Sequence, residues 1–329
     1  VTVWSARAPC RVDLGGGTLD IWPLGLFHPG ARTVNVAIDI EVGVEVRRGD
    51  GFRVAQAGSV VHARDLASLR AEPSARLIAE VCDFLGIDGV DLEITSGSPR
   101  GGGLGASSAL TICLLAAIGA AAGREQPPSA QLAAEARDLE ARMMRLPTGI
   151  QDHAPALLGS AVVVEHRIGG SVSRVLPCDL DGLAHHLVVA YSGQSHFSAG
   201  NNWSIIRRAL DHDPDTDRLL RAIAVAAAAV EAALAAGDFE ALGHAVAQEW
   251  GHRRQLADEV STPTIEALLD AARRAGAWGG KACGAGGGGC VVVLAPKARR
   301  AEVAQALARA GAEVLEASPS PEGLRTTTC

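Results

Sequence analysis

The chain has 329 residues, 48% of them hydrophobic and only 3% aromatic, with a formal net charge of -7 at pH 7. That length suits one large domain or two of ordinary size, packed around an aliphatic core. Acids and bases are interspersed, with no basic patch and no interleaved aromatics, which argues against nucleic-acid binding.

Residues 1–9 lack the basic and apolar stretches of a secretory leader. Next comes a first glycine cluster, Ala8-Pro9-Cys10-Arg11-Val12-Asp13-Leu14-Gly15-Gly16-Gly17-Thr18-Leu19-Asp20. From Val34 to Arg47 apolar residues alternate with others, which predicts a long strand with one buried face. A second alternation, Val90, Leu92 and Ile94, leads into the glycine-rich segment Pro99–Ser108. An apolar helix over 106–122, closed by Gly123, is predicted to follow. Its longest apolar run, Leu110–Ala122, is about 13 residues, short of the roughly 20 needed to span a bilayer. No membrane association and a cytoplasmic location are expected.

Ser129 is predicted to cap a helix reaching about Met144. Pro147-Thr148-Gly149 breaks it, and Gln151–Leu158 reads as a new short helix with Pro155 in its first turn. Val162–Glu165 and Val172–Leu176 read as a hairpin around Gly169-Gly170. His186–Ala190 reads as a buried strand. Beyond Asn201 the pattern is helical to about Ala275. The remainder reads strand, glycine loop, strand, helix, strand, with Lys281–Cys290 as the loop. The class expected is α+β, with two lobes at 1–160 and 161–329. The seven cysteines are scattered without CxxC spacing, which suggests small apolar fillers and no metal or disulfide framework.

The glycines fall in three clusters. In the central one, Pro99, Gly101, Gly102, Gly103, Leu104, Gly105, Ala106, Ser107 and Ser108 lie between a predicted strand and a predicted helix. A helix start leaves about four backbone N–H groups unpaired and carries partial positive charge, so it receives phosphate. Glycines let the backbone approach the phosphate oxygens, and serine hydroxyls there can cap the helix or ligate Mg²⁺. No GxxxxGK[ST] loop occurs, and the dinucleotide-binding glycine spacing is absent. The first cluster sets Arg11 beside a tight turn, where a guanidinium can offset charge on a transferred phosphoryl group. It also supplies Asp20 as an acceptor for sugar hydroxyls. In the third cluster the glycine run costs backbone entropy, so something is expected to approach it closely.

Three such motifs in this order resemble the GHMP kinases, the family of galactokinase, homoserine kinase, mevalonate kinase and phosphomevalonate kinase. The resemblance spans nearly the whole chain. Within it, Gly15–Asp20 and Gly149-Ile150-Gln151-Asp152-His153 are most similar to the D-glycero-D-manno-heptose 7-phosphate kinase and fucokinase group. There the corresponding segments carry Gly-Gly-Thr-Asp and Gly-Lys-Gln-Asp-Gln, so Thr18, Ile150 and His153 depart from the pattern.

The resemblance implies a two-lobed fold, with an N-terminal lobe like domain 2 of ribosomal protein S5 and a ferredoxin-like C-terminal lobe. It implies ATP as phosphate donor, Mg²⁺ as cofactor, and a sugar or sugar-phosphate acceptor phosphorylated at the anomeric hydroxyl. Another sugar, a non-sugar alcohol, or a non-catalytic ATP- and sugar-binding regulator are the alternatives. The implied catalytic residues are Asp152, facing the acceptor hydroxyl, and Arg11. By spacing alone Asp152 reads as a helix N-cap. Ser107 and Glu140 match the metal positions, with Ser108 and Asp138 as competitors. Gly16, Gly17, Asp20, Gln151, Gly286, Gly287 and Gly288 are the implied substrate contacts, and Ser192–Ser198 is a further candidate.

Overall fold

The computed structural model describes residues 2–195 and 199–329. Its strands and helices run in the order β1 (Trp4–Gly15), β2 (Arg32–Arg48), β3 (Phe52–Gln56), β4 (Ser59–Ala63), α1 (Leu66–Ala71), α2 (Arg76–Leu85), β5 (Val90–Ser96), α3 (Ala106–Ala121), α4 (Ser129–Met144), α5 (His153–Leu158), β6 (Ala161–Arg167) and β7 (Gly170–Val175). The second half continues with α6 (Leu180–Ala184), β8 (Leu187–Tyr191), α7 (Ala199–Leu210), α8 (Pro214–Ala236), α9 (Phe239–Arg253), α10 (Pro263–Arg274), β9 (Gly279–Ala282), β10 (Cys290–Leu294), α11 (Arg300–Arg309), β11 (Glu313–Leu315) and β12 (Arg325–Thr328).

The 17-residue β2 is the spine of the first sheet. From Val34 to Val46 it pairs antiparallel with β1, while its other edge is shared, Arg32–Val36 with β6 and Val42–Arg48 with β5. The strand order is β12-β1-β2-β5-β3-β4, with the β6–β7 hairpin added on β2. Helices α3, α5 and α8 pack on β2. As a result β2 is buried on both faces from Thr33 to Ile38, including polar Thr33 and Asn35, where the alternation predicted one buried face. The hairpin and β12 lie C-terminal to the expected division at 160/161 and belong to the first sheet. Strand β12 itself was not foreseen.

The second sheet is antiparallel, in the order β11-β8-β10-β9. Numbered within this lobe the order is 4-1-3-2, with helices in the two crossovers, which is the ferredoxin-like pattern. Helix α9 packs on β9, β10 and β1, and so joins the two sheets. Among the described residues α8 alone has the length and hydropathy to cross a membrane, yet Leu219, Leu220, Ile223, Val230 and Leu234 are buried within the protein.

Two details differ from the sequence reading around the site. Ser129 is the first residue of α4, its N-cap is Pro128, and no side chain caps that end. Helix α5 starts at His153, two residues later than predicted, because Ile150–Asp152 form the turn that precedes it, closed by the His153 N–H to Ile150 O.

Candidate active site

Strand β1 carries Arg11 and Asp13 two residues apart, hence on one face of the strand. Register shifts against β2 at Pro9/Cys10 and Asp13/Gly15 bend the strand on either side of them, as bulges beside active sites commonly do. Arg11 N–H donates to Leu104 O at 2.9 Å, and its Nη1 donates to Gly103 O at 2.6 Å, so the first motif is fastened to the central loop. Within that loop Gly101, Gly103 and Gly105 all have positive φ, at 65°, 68° and 72°. At Gly103 the requirement is also steric, since a Cβ would stand 2.6 Å from Cys283 O in the third loop.

Arg11 also binds Asp152. Its Nε and Nη2 donate to Asp152 Oδ1 at 2.9 and 2.6 Å. Asp152 occupies the N-cap position of α5, yet its side chain caps nothing. The carboxylate is committed to the arginine. Burial opposes the Arg11 charge, but Asp152 and Asp13 outweigh it and hold the guanidinium above its ordinary value.

A cavity of about 380 Å³ brings together Arg11, Thr18, Asp20, Ser107, Ser108, Glu140, Gln151 and Asp152. Asp20 is buried and accepts from the Gln151 N–H at 3.1 Å. Burial, reinforced by the charge of Asp152, raises its pKa to about 6. Ser107 is exposed in the first turn of α3, while Ser108 Oγ and Thr111 Oγ1 donate to Glu140 at 3.2 and 2.8 Å. His153 Nε2 lies 3.3 Å from Glu140 Oε2. Burial raises the Glu140 pKa, but His153 and these hydroxyls outweigh it and bring it below the usual carboxylate value. Asp138 instead pairs with Arg137 at the surface. Glu140, with the hydroxyls around the start of α3 and with His153 beside one of its oxygens, offers a mainly oxygen donor set. It fits Mg²⁺, which takes one or two protein oxygens plus phosphates.

Other expected residues are placed differently. Gly16 N–H donates to Glu249 Oε1 at 3.1 Å, and a Cβ on Gly17 would stand 2.0 Å from Arg253 Nη1, so both glycines seat α9. Gly286 and Gly287 lie against Val260, and the third loop lines the cavity through Gly284 and Ala285. Gln194 O accepts from the Gly289 N–H at 2.7 Å, while residues 196–198 of the further candidate segment lie outside the described residues.

Sequence reasoning missed a fully buried ionic cluster beneath the site. Asp13 accepts from Lys281 Nζ at 2.8 Å, Arg253 Nη1 at 3.1 Å and the Gly284 N–H at 2.7 Å. Lys281 also lies 3.1 Å from Glu249, and Arg253 Nη2 donates to Gly284 O at 2.6 Å. Burial raises the pKa of Asp13, but Lys281, Arg11 and Arg253 outweigh it and bring it to about 2. The one local signal was the i, i+4 spacing of Glu249 and Arg253.

A glycine-cradled helix start, a guanidinium-held aspartate and a buried glutamate around one cavity are the parts of a small-molecule phosphotransferase. The comparisons agree. The GHMP kinases N terminal domain matches residues 74–160 and the GHMP kinases C terminal region matches 230–313. Over 243 residues the chain is 32% identical to the mevalonate kinase of Thermococcus sibiricus, covering 72% of this chain and 69% of that one. Over 258 residues it is 30% identical to the galactokinase of Mycobacterium tuberculosis, covering 68% and 69%. In fold it resembles a D-glycero-D-manno-heptose 1-phosphate kinase from Bacteriodes thetaiotaomicron, with a TM-score of 0.78, 19% identity and 98% of each chain covered. The chain belongs to the GHMP kinase family and is an ATP-dependent small-molecule kinase.

Proposed function

We propose that this kinase transfers the γ-phosphate of ATP to a sugar or sugar-phosphate hydroxyl, at the anomeric position. The observation that carries the reading is the placement of Asp152 and Asp20 on one cavity with the start of α3. Asp152, oriented by Arg11, faces the acceptor hydroxyl and takes its proton late. The phosphoryl-transfer transition state is loose, so positioning and charge matter more than a strong base. The segment Pro99–Ser108 holds the triphosphate, and Arg11 stabilises charge on the moving group. Ser107 and Glu140 would hold Mg²⁺, with Ser108 and Thr111 orienting the glutamate; the ion would neutralise phosphate charge. Asp20 accepts from sugar hydroxyls.

The test is acceptor-stimulated ADP release across reducing sugars, sugar phosphates and mevalonate, with the phosphorylated position read by ³¹P NMR. Turnover of a sugar that Asp152→Asn slows by roughly 10²–10⁴ is expected. If no sugar stimulates turnover, the sugar kinase reading is lost. The 32% identity to a mevalonate kinase favours a second reading, a non-sugar alcohol as acceptor, and the same panel decides it.

A further inference from the structure

Arg253 reaches from the end of α9 into the candidate active site and is 2% exposed there. Its guanidinium binds the first and third glycine motifs at once. Nη1 donates to Asp13 Oδ2 at 3.1 Å, and Nη2 donates to Gly284 O at 2.6 Å. The Gly284 N–H donates in turn to Asp13 Oδ1 at 2.7 Å, which closes a ring of aspartate, peptide and arginine. Gly17 leaves room for the guanidinium, since a Cβ there would stand 2.0 Å from Nη1. Asp13 and Glu249 already balance Lys281 and Arg253, so the bond to Gly284 O is not needed to neutralise charge.

What the ring fixes is the direction of one peptide. The Gly284–Ala285 bond is trans, so its C=O and N–H point opposite ways. The carbonyl is held against the buried guanidinium, and the Ala285 N–H is turned away from the ionic cluster. That N–H has no hydrogen-bond partner among the described residues. Ala285 is half-buried and lines the cavity that holds Arg11, Ser107 and Asp152. Its neighbour Gly284 packs on the central loop, where a Cβ would stand 3.0 Å from Gly103 O, the carbonyl that Arg11 Nη1 also holds. Backbone donors removed from water are almost always paired, so an unpaired one on this wall calls for an acceptor.

Resting on the phosphate-loop reading above, we infer that the Ala285 N–H donates to an oxygen of the phosphoryl group in transit, and that Arg253 is the positioning residue that turns it there. The bond from phosphorus to the leaving ADP oxygen breaks as the bond to the acceptor oxygen forms, and the Ala285 proton stays on nitrogen. A donor fixed in advance acts where charge develops and needs no rearrangement during transfer. Helix α9 of the second lobe thus sets a group at the reacting centre of the first.

The test is equilibrium binding of ADP and Mg²⁺ with and without fluoroaluminate, a planar copy of the transferring phosphoryl group, in the parent and in Arg253→Lys. Lysine keeps the charge beside Asp13 but lacks the fork that spans the aspartate and Gly284 O. The parent is expected to bind ADP roughly tenfold or more tightly when fluoroaluminate is present. In R253K that gain should nearly vanish while the affinity for ADP alone stays close to the parent's. A role confined to stability would lower the thermal midpoint and leave the gain intact, and that result would overturn the inference. Should R253K fail to fold, the parent alone decides, through the Ala285 amide followed by ¹H–¹⁵N NMR. Its proton is expected to move downfield and to exchange roughly tenfold more slowly with ADP and fluoroaluminate than with ADP alone. An Ala285 amide that does not respond, or a parent without the fluoroaluminate gain, overturns the donor while the phosphate loop stands. A parent that binds neither ADP nor ATP loses the phosphate-loop reading too, so the two failures are told apart.

Discussion

Arg11 holds a single oxygen of Asp152 with two of its nitrogens, Nε at 2.9 Å and Nη2 at 2.6 Å, while its Nη1 reaches Gly103 O in the phosphate loop. One side chain thus sets the distance between the aspartate and the loop. Asp152→Asn is expected to lower kcat by roughly 10²–10⁴ with little change in the KM for ATP, the range for losing a positioned acid or base. Its partner Arg11 is only 2% exposed, so neutralising Asp152 should also lower the thermal midpoint, and kcat is to be read at a temperature where the variant is folded. Arg11→Lys keeps the charge but not the planar fork, and a kcat loss of roughly tenfold or more is expected. Steady-state kinetics with varied ATP and acceptor check both, and a D152N enzyme with parental kcat would remove Asp152 from the chemistry.

The cluster of Asp13, Lys281, Glu249 and Arg253 joins β1, β9 and α9 across the two sheets. Removing one member of a buried set leaves charges unpaired, so Asp13→Asn should cost about 3–5 kcal/mol. Its pKa is about 2 in the folded chain against 3.8. A carboxylate with a depressed folded value lends stability above pH 3.8 that is lost as pH falls toward about 2, because the unfolded chain binds the proton first. Denaturant midpoints between about pH 5 and 2 should fall for the parent and fall less steeply for D13N. Parallel curves would show that Asp13 carries no such linkage.

The three glycine clusters were legible because close approach and positive φ leave few alternatives to glycine, as at Gly103 against Cys283 O. Long strands and helices were legible for the same local reason, periodicity. What escaped was non-local. Asp152 at the head of α5 read as a cap by spacing alone, and only β1, more than a hundred residues away in sequence, brings the arginine that claims it. Glu249 and Arg253 sit in an ordinary helical pattern, and nothing local says that Asp13 and Lys281 will meet them in the interior. Asn35 should have faced solvent by alternation but is buried, because β2 is covered by helices on both faces. Strand β12 has only exposed residues and pairs at an edge, so no hydrophobic pattern announced it.

Gly149 stands against Asp20: a Cβ there would lie 1.7 Å from Asp20 Oδ2. Gly149→Ala must therefore displace the carboxylate or the turn leading to Asp152. The expected result is an acceptor KM raised tenfold or more with the KM for ATP nearly unchanged, since the phosphate loop is untouched. A variant with parental acceptor KM would show that Asp20 takes no part in acceptor binding.

Asp20 also predicts a pH effect opposite in sign to that of Asp13. Its folded pKa is raised from 3.8 to about 6, chiefly by burial. Between those values the native chain binds the proton that the unfolded chain has released, so stability falls as pH rises through the window and levels off above about 6. Asp20→Asn keeps an acceptor for the Gln151 N–H but removes the charge. The variant should be more stable than the parent at pH 7, by on the order of 1–3 kcal/mol, with the gap closing toward pH 4. In catalysis the relation reverses. The ionised form is the better hydrogen-bond acceptor, so kcat/KM for the acceptor should decline below about pH 6, and that limb should vanish in D20N while its acceptor KM rises. Thermal melts and acceptor kinetics at the same set of pH values measure both. A D20N protein less stable than the parent at pH 7 would mean that the Asp20 charge is compensated in the folded chain, and the predicted limb would go with it.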